Sequence, residues 1–461
     1  MTDRFGAHRT VSHWMATIEE DLTPRPPMPD DTDCDVAIVG AGMTGLWTAL
    51  ELKRRDPGLR VVVLEKEIAG FGASGRNGGW CSALFPASHD AIAAVAGRDA
   101  AVAMQRAMND TVDEVGAACK REGIDCDYVK GGTVTAATNP AQEQRLRRMV
   151  AHDHDCGFGP DDVRWLDRDE AAARVDVAGM SGAAFTPHCA AVNPAKLVRG
   201  LARAATRAGV RLYESTAVRS ITDGTVHTDH GRVRAEVAVR ATEAYTPRLR
   251  GLHRLVIPLY SLMVVTEPLG ESFWDEVGWA GRETVGDARR VVVYAQRTAD
   301  DRVAFGGRGT YHFASRVKPG FDRPPGAHTA VEATMHAFFP ALGDVQITHR
   351  WGGPVAAPRD WFASVGYDRE AKLAWAGGYV GDGVSTTNLA GRTIADLVCG
   401  VDSDLTRLPW VGHAWREWEP EPLRWLGISA MSRIATSADS FEARKGRIPR
   451  LRSAVFDAVV H

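Results

Sequence analysis

A glycine-rich turn near the N-terminus limits most strongly what this chain can fold into. The segment Cys34-Asp-Val-Ala-Ile-Val-Gly-Ala-Gly-Met-Thr-Gly45 runs from a short apolar strand into a Gly-x-Gly-x-x-Gly turn, and a helical pattern follows. Gly40 permits the tight turn, Gly42 lets the backbone approach a pyrophosphate, and Gly45 lets helix and strand pack closely. The helix N-terminus offers free N–H groups to the phosphates. The segment therefore predicts a dinucleotide site on a Rossmann-type fold.

The residues after the second predicted strand favour FAD over other dinucleotides. Val61-Val-Val-Leu64 ends in Glu65, 20 residues after Gly45, where a carboxylate accepts hydrogen bonds from a ribose diol and disfavours the 2′-phosphate of NADP. The glycine-rich run 65–79 lets the backbone wrap closely around an extended ligand. We predict that these two motifs hold FAD through Gly40, Gly42, Met43, Thr44, Gly45, Glu65, Lys66, Gly72, Ala73, Ser74, Arg76, Asn77, Gly78, Gly79 and Trp80.

A second glycine-rich turn, near the C-terminus, is predicted to face the flavin ring. The strand pattern 373–376 leads through four glycines into a helical pattern over 385–399. Helix N-termini stabilise negative charge, which a reduced flavin carries near N1 and O2. An anion beside that ring is unfavourable, so we expect the side chain of Asp382 to point away. The predicted contacts of this turn are Gly378, Gly381, Asp382, Gly383, Val384 and Ser385.

With these motifs the chain resembles the D-amino-acid oxidase superfamily of FAD-dependent oxidoreductases. More narrowly, it is similar to the gamma-glutamylputrescine oxidoreductase-type branch. The resemblance rests on the segments 72–79, 190–201 and 376–384, together with Ala390-Gly-Arg392, and it spans about residues 34–400. It implies FAD as the cofactor and oxidation of a C–N bond in an amine or amino acid. Because the superfamily is broad, the resemblance leaves the substrate open.

We predict that FAD is bound without a covalent bond. Some relatives attach FAD through a histidine near the glycine run or through a cysteine farther along the chain. Here the run reads Ser-Gly-Arg-Asn, and the region 350–356 has no cysteine. Cys81 lies just past the run, and we interpret it as a small packing residue.

The order of predicted elements indicates an α/β fold in which a Rossmann-type FAD-binding domain is interleaved with a substrate domain. The substrate domain is predicted to contain a mixed or antiparallel sheet with helices, because the stretch 251–320 is rich in strand patterns. We expect an N-terminal arm at 1–33, the FAD-binding domain at 34–90, 192–250 and 345–405, the substrate domain at 91–191 and 251–344, and a helical tail at 406–461.

Amine oxidation by a flavin needs orientation of the substrate more than acid–base groups. The neutral amine gives a hydride from its α-carbon to flavin N5, and the imine then hydrolyses. The strands 257–265 and 303–311 are predicted to form the substrate wall, with Arg308, Tyr260 and Tyr311 as catalytic candidates. Arg308 could bind a carboxylate or phosphonate bidentately, promote oxygen reduction, or pair with a structural acid. Trp351 could pack near the flavin, although core packing explains it nearly as well. His188 could face the cleft, but a lone histidine is more often structural.

Two other functions stay open at this point. Oxidation of a hydroxy acid would use the same fold but needs a base for the hydroxyl proton, and no Asp/His pair stands out near the predicted pocket. A flavin-bearing subunit that only passes electrons or serves a structural role is the second alternative. The tail tryptophans 410, 415, 418 and 425 could dock its partner, although packing against the body is the more common use of such residues. The electron acceptor, O2 or another, is also open.

Composition excludes several classes of protein and partner. The formal net charge of -3 over 461 residues gives no electrostatic reason to expect nucleic acid. The chain has no apolar run of the roughly 18 residues that a membrane span needs, and its first residues have no secretory signal pattern. The seven cysteines form no CxxC pair, so we expect no metal site and a reducing, cytoplasmic setting. The sequence leaves the oligomeric state open.

Overall fold

The computed structural model describes residues 6–324, 326–449 and 451–452. Parts of the predicted arm (1–5), substrate domain (325) and tail (450, 453–461) lie outside the described residues.

The helices are α1 Gly6–Arg9, α2 His13–Ala16, α3 Met43–Arg55, α4 His89–Ala96, α5 Arg98–Glu122, α6 Pro140–Asp155, α7 Arg168–Ala172, α8 Pro194–Arg207, α9 Glu271–Val277, α10 Thr329–Phe338, α11 Gly383–Cys399 and α12 Leu423–Lys445. The strands are β1 Thr32–Val39, β2 Val61–Leu64, β3 Trp80–Ser82, β4 Thr133–Ala137, β5 Arg164–Leu166, β6 Gly182–Thr186, β7 Cys189–Ala191, β8 Arg211–Tyr213, β9 Val218–Thr222, β10 Thr225–Thr228, β11 Gly231–Arg240, β12 Ile257–Thr266, β13 Thr284–Asp287, β14 Val293–Arg297, β15 Val303–Tyr311, β16 Ile347–Ala357, β17 Ser364–Asp368 and β18 Leu373–Gly377.

The first sheet has the order β17-β18-β11-β1-β2-β8, with β10 and β9 joined to β11. Neighbouring strands from β18 to β8 run parallel, with Val36 of β1 opposite both Val61 of β2 and Val237 of β11. Parallel strands are covered on both faces, which explains why β2 is an uninterrupted apolar run that is fully buried. Helices α3, α8 and α11 share one core with this sheet, in which Trp47 and Leu389 are fully buried.

The second sheet has the order β16-β12-β15-β14-β13-β4-β6-β5. Its neighbours are antiparallel except for β13 and β4, which run parallel. Helices α9 and α10 lie against a separate core with Trp279, Phe305 and Phe339 at its centre. The two sheets and their helices confirm the predicted α/β fold class. In the described part of the chain, no helix is long and apolar enough to cross a membrane.

Three segments pack differently from the predicted division of the chain. Strand β16 pairs with β12 in the second sheet rather than with the nucleotide-binding sheet, and Gly352 allows this because a Cβ there would lie 2.5 Å from the carbonyl oxygen of Ser261. Helix α5 contributes Met104 and Met108 to the core of the first sheet. The N-terminal segment is no free arm where it is described, since Trp14 and Met15 are 2% and 0% exposed in a cluster with Trp351.

Candidate functional site

A cavity of about 530 Å³ lies where the carboxyl ends of the parallel strands meet the second sheet. Ligands of open α/β sheets bind at this edge. The predicted cofactor residues that line it are Gly40, Gly42, Met43, Thr44, Glu65, Lys66, Gly72, Ala73, Ser74, Arg76, Asn77, Gly381, Gly383 and Val384. The predicted residues that are not among its lining are Gly45, Gly78, Gly79, Trp80, Gly378, Asp382 and Ser385. The structure thus brings the two glycine-rich turns together around one cavity.

The first glycine turn is close-packed in a way that tolerates no side chain. Gly40 has a φ of +107°, and a Cβ there would lie 2.5 Å from the carbonyl oxygen of Ala241. A Cβ on Gly45 would lie 2.0 Å from the carbonyl oxygen of Gly40. Gly42 caps α3 without a side chain, while the hydroxyl of Ser74 accepts the N–H of Met43 at 2.9 Å. Backbone therefore forms the wall that a pyrophosphate would contact.

Glu65 directly follows β2 at this edge, and its two carboxylate oxygens each accept a backbone N–H. Ala41 donates to one oxygen and Glu67 to the other, both at 2.9 Å. Burial raises the pKa of Glu65 to about 7, and the nearby charge of Glu214 adds to the effect, while the two N–H groups oppose it. The carboxyl group remains in the cavity lining, where its other lone pairs can accept ribose hydroxyls.

Glu243 is a cavity residue that sequence reasoning missed. It follows β11, and one carboxylate oxygen accepts the N–H of Tyr379 at 3.1 Å. The other oxygen is buried and has no hydrogen-bond partner among the described residues. Burial raises the pKa of Glu243 to about 7. Its position after a strand could have identified Glu243, because β11 is a third parallel strand whose carboxyl end lies at the same edge as those of β1 and β2.

Other parts of the lining gave no sequence signal. Thr10 and Val11 of the N-terminal segment reach the cavity, and so does the loop 317–323 that follows β15. The side chain of Arg323 donates to the carbonyl oxygen of Thr10, so a hydrogen bond joins the loop to the N-terminal segment at the cavity. Such contacts depend on tertiary packing rather than on any local motif.

The two candidate tyrosines differ in position. Tyr260 lines the cavity, its ring packs edge-on to His312 at 5.1 Å, and burial raises its pKa to about 12. Tyr311 is not in the lining. Its hydroxyl donates to Glu421 at 2.6 Å, so the structure gives it a partner next to α12 and does not bring it to the cavity as expected.

Arg308 and Asp382 are both partly buried, and neither is among the lining residues of the cavity, although Arg308 was expected there. The Arg308 guanidinium lies 5.1 Å from the centre of the Trp361 ring and makes no side-chain hydrogen bond or ion pair with the described residues. Burial lowers the pKa of Arg308, and the charge of Asp382 opposes this. Burial raises the pKa of Asp382 to about 6, and the charge of Arg308 opposes that shift. Gly381 and Gly383, the neighbours of Asp382 in the chain, line the cavity, whereas Asp382 does not.

The two weaker candidates have structural partners. The indole N–H of Trp351 donates to the carbonyl oxygen of Arg76 at 2.8 Å, and its ring packs edge-on to Trp14 in a closed cluster. His188 is paired with Asp162 at 2.9 Å and is not in the cavity lining.

The first sheet is parallel and has a glycine-rich turn at the carboxyl ends of its strands, and the second sheet forms the other side of the cavity. This arrangement is typical of Rossmann-type enzymes that bind a dinucleotide. Residues 35–397 match the family described as FAD dependent oxidoreductase, so the chain belongs to that family. The predicted resemblance is confirmed: the chain is an FAD-dependent oxidoreductase.

Individual relatives are similar over most of the chain. The probable oxidoreductase OrdL of Haemophilus influenzae is 29% identical over 390 residues, which cover 83% of this chain and 86% of the relative. Gamma-glutamylputrescine oxidoreductase of Escherichia coli is 30% identical over 405 residues, covering 85% and 89%. The fold is similar to that of glycine oxidase from Geobacillus kaustophilus, with a TM-score of 0.69 and 24% identity over 83% of this chain and 99% of the other.

The residues at the cavity fit FAD. The open backbone at Gly40 and Gly42 suits a pyrophosphate, and Glu65 offers acceptors for a ribose. The buried oxygen of Glu243 has no partner among the described residues, which leaves an acceptor for a further hydroxyl of an extended ligand.

Proposed function

We propose that this enzyme oxidises the C–N bond of a small amine or amino acid that carries an acidic group. Two relatives support the substrate class by name, gamma-glutamylputrescine oxidoreductase of Escherichia coli and glycine oxidase of Geobacillus kaustophilus, the latter 28% identical over 376 residues. Both named substrates contain an amine and a carboxylate. The observation that carries the proposal is Arg308, whose guanidinium lies inside the protein without a hydrogen-bond partner among the described residues.

Different residues of the chain bind the cofactor and the substrate. The backbone of Gly40 and Gly42 and the N-terminus of α3 bind the pyrophosphate, while Glu65 binds a ribose. FAD, when bound, accepts the two electrons and the hydrogen that the amine carbon loses. Arg308 holds the acidic group of the substrate, and the face of Trp361 keeps the guanidinium plane in place.

Arg308 selects substrates in two ways. Its planar fork forms paired hydrogen bonds with a carboxylate or phosphonate, which fixes the orientation of the amine end. A plain alkylamine would leave the half-buried guanidinium without an anion, so such substrates are disfavoured. Loss of one charge-assisted interaction of this kind weakens binding by about 1.5–3 kcal/mol, or roughly tenfold to a hundredfold.

The test is a screen of amines with and without an acidic group, followed by anaerobic bleaching of the flavin and by hydrogen peroxide release in air. In Arg308→Met, acidic amines should lose their advantage over alkylamines while FAD is retained. Arg308→Lys keeps the charge but loses the fork, so KM for acidic amines should rise. Peroxide release identifies oxygen as the acceptor.

The control variant is Arg350→Met. Arg350 is an exposed arginine of the same sheet, paired with Glu332 at 2.6 Å, and its loss should leave the substrate preference unchanged. A yellow protein whose flavin no amine bleaches would refute amine oxidation. Equal reaction of acidic and plain amines in the wild type and in Arg308→Met would assign Arg308 a structural role instead.

A further inference from the structure

A second cavity, of about 310 Å³, adjoins the FAD cavity, and Thr10 and Arg323 line both. Its walls come from the N-terminal segment, the loop 317–323 and strand β16. A volume of this size is at the lower end of the range for small-molecule sites. None of the described residues that line it is an aspartate or glutamate, and its basic side chains are three arginines and two histidines, Arg9, Arg323, Arg350, His13 and His349. The second cavity therefore has the size and charge for a small anion.

Two of the three arginines have no carboxylate within hydrogen-bond distance among the described residues. Arg9 donates to backbone carbonyl oxygens of the N-terminal segment, one of them at 2.8 Å, and makes no ion pair there. The Nε of Arg323 lies 3.7 Å from a carboxylate oxygen of Asp322, which is too far for a hydrogen bond. Arg350, by contrast, is paired with Glu332 at 2.6 Å. Arg9 and Arg323 therefore keep N–H donors and positive charge for a ligand.

His13 is a buried histidine of the lining whose hydrogen bonding is incomplete. It is 3% exposed, and its Nδ1 is buried without a hydrogen-bond partner among the described residues. Its ring lies 5.1 Å from that of His349. Burial lowers the pKa of both histidines, and the charge of Arg302 acts in the same direction on each, while Asp300 opposes the shift at His13. His13 is therefore neutral near pH 7, with a ring nitrogen that a ligand can satisfy.

The donors around the second cavity come from different parts of the chain. Arg9 and His13 belong to the N-terminal segment, and Arg323 belongs to the loop 317–323. A tetrahedral oxyanion presents oxygens in several directions, whereas a carboxylate has two oxygens in one plane, so separate walls suit the tetrahedral group better. Guanidinium groups also form strong charge-assisted hydrogen bonds with phosphate oxygens.

We propose that the second cavity binds the phosphate group of a small molecule, either inorganic phosphate or a phosphate ester. Arg9, Arg323 and His13 donate to the phosphate oxygens. The site is separate from the one that oxidises the amine, and its occupancy can be measured without turnover. Because a ligand that binds only the folded protein stabilises it, phosphate should also raise the Tm of the holoenzyme.

Calorimetric titration of the holoenzyme at pH 7.5 tests the proposal, with sodium chloride used to keep the ionic strength constant. Inorganic phosphate should bind saturably, with one bound per chain, and acetate should bind at least about tenfold more weakly because it lacks the tetrahedral oxygens. Glycerol phosphate distinguishes the two sources, since tighter binding than inorganic phosphate indicates an ester and weaker binding indicates the free ion. Absence of saturable binding for both, or equal affinity for acetate and phosphate, would overturn the proposal.

The variant His13→Phe keeps a ring of similar shape and removes the nitrogens. Loss of one hydrogen bond to a charged group should weaken phosphate binding roughly tenfold to a hundredfold. The Nδ1 atom has no partner among the described residues, so the Tm without phosphate should stay the same or rise. A purely structural histidine would give the opposite pattern, a lower Tm with unchanged phosphate affinity, and that result would count against the proposal.

Arg9→Gln provides a second test from a different helix, and it remains informative if His13→Phe does not fold. Its affinity for phosphate should fall about tenfold or more, and phosphate should no longer raise its Tm. Arg148→Gln is the matched control, because it removes the same charge from an exposed arginine of α6 that lines neither cavity. The control should bind phosphate like the wild type. Equal losses of affinity in Arg9→Gln and Arg148→Gln would show an effect of net charge alone and would refute a built site.

Discussion

The affinity of the apoprotein for FAD should depend on pH through Glu65. Burial raises the pKa of this carboxyl to about 7 in the structure without ligand. Ribose hydroxyls donate to the ionised form, so bound FAD should lower that pKa. Binding then releases a proton, and by linkage the affinity should rise as pH rises toward 7 and become constant above it. The slope between pH 5.5 and 7 is at most about tenfold per pH unit.

The substitution Glu65→Gln removes the titration and the charge but keeps a similar shape. At pH 8 the variant lacks one charge-assisted hydrogen bond, a loss of about 1.5–3 kcal/mol, so the dissociation constant should rise roughly tenfold to a hundredfold. At pH 5.5 the wild-type carboxyl is mostly neutral and resembles the amide, so the difference between the two proteins should shrink to a few-fold.

The assay titrates apoprotein with FAD and follows quenching of flavin fluorescence from pH 5.5 to 8.5. Glu276→Gln is the control, because Glu276 is an exposed acid of α9 outside the cavity lining. A slope that persists in Glu276→Gln and is absent in Glu65→Gln assigns the proton to Glu65. A ratio of dissociation constants that is the same at pH 5.5 and pH 8 would refute this reasoning.

Two further predictions concern how the cofactor is held. In Gly45→Ala the new methyl would lie 2.0 Å from the Gly40 carbonyl oxygen, so the protein should lose at least about 1–3 kcal/mol of stability and retain less FAD. Gly427→Ala, in open space on α12, should keep FAD and gain up to about 1 kcal/mol, and equal flavin content and Tm in both variants would contradict the prediction. Acid precipitation should release the yellow colour into the supernatant, and a yellow pellet would show a covalent bond.

The nucleotide-binding residues at the carboxyl edge of the first sheet could be predicted, because the sequence motifs that mark them are local. Strands β1 and β2 are short apolar runs that end in a glycine turn and an acid, and each feature lies within a few residues of the next. The helical sequence pattern over 89–122, by contrast, is divided in the structure into α4 and α5 at Gly97, which has a φ of +90°. Apolar periodicity continues through that glycine, so the pattern alone does not reveal the break.

Non-local pairing explains the segments that packed differently from the prediction. Strand β16 lies between the nucleotide motifs and the flavin turn along the chain, yet its partner β12 is some ninety residues away, with Ser261 opposite Gly353. The sequence predicts an N-terminal arm, while burial of Trp14 depends on Trp351 from that same distant strand. Composition of a segment carries little information about which remote strand will cover it.

The acids at the carboxyl edge explain why the candidate site was only partly predicted. Glu65, Glu243 and Asp382 follow β2, β11 and β18, which lie close together in the first sheet, and burial raises the pKa of each. The sequence marks Glu65 and Asp382, because each lies beside a glycine-rich motif, whereas Glu243 has no such motif next to it.

The three acids differ in whether their carboxylate oxygens accept hydrogen bonds from the backbone. Glu65 and Glu243 accept backbone N–H groups and so hold the turns that shape the cavity. Asp382 accepts none from its helix, and its charge is opposed by Arg308 alone among the described groups. A buried carboxyl that supports no turn has its acceptors free for a ligand. We propose from this distinction that Glu65 and Glu243 serve the cofactor, whereas the carboxyl group of Asp382 supports neither turn.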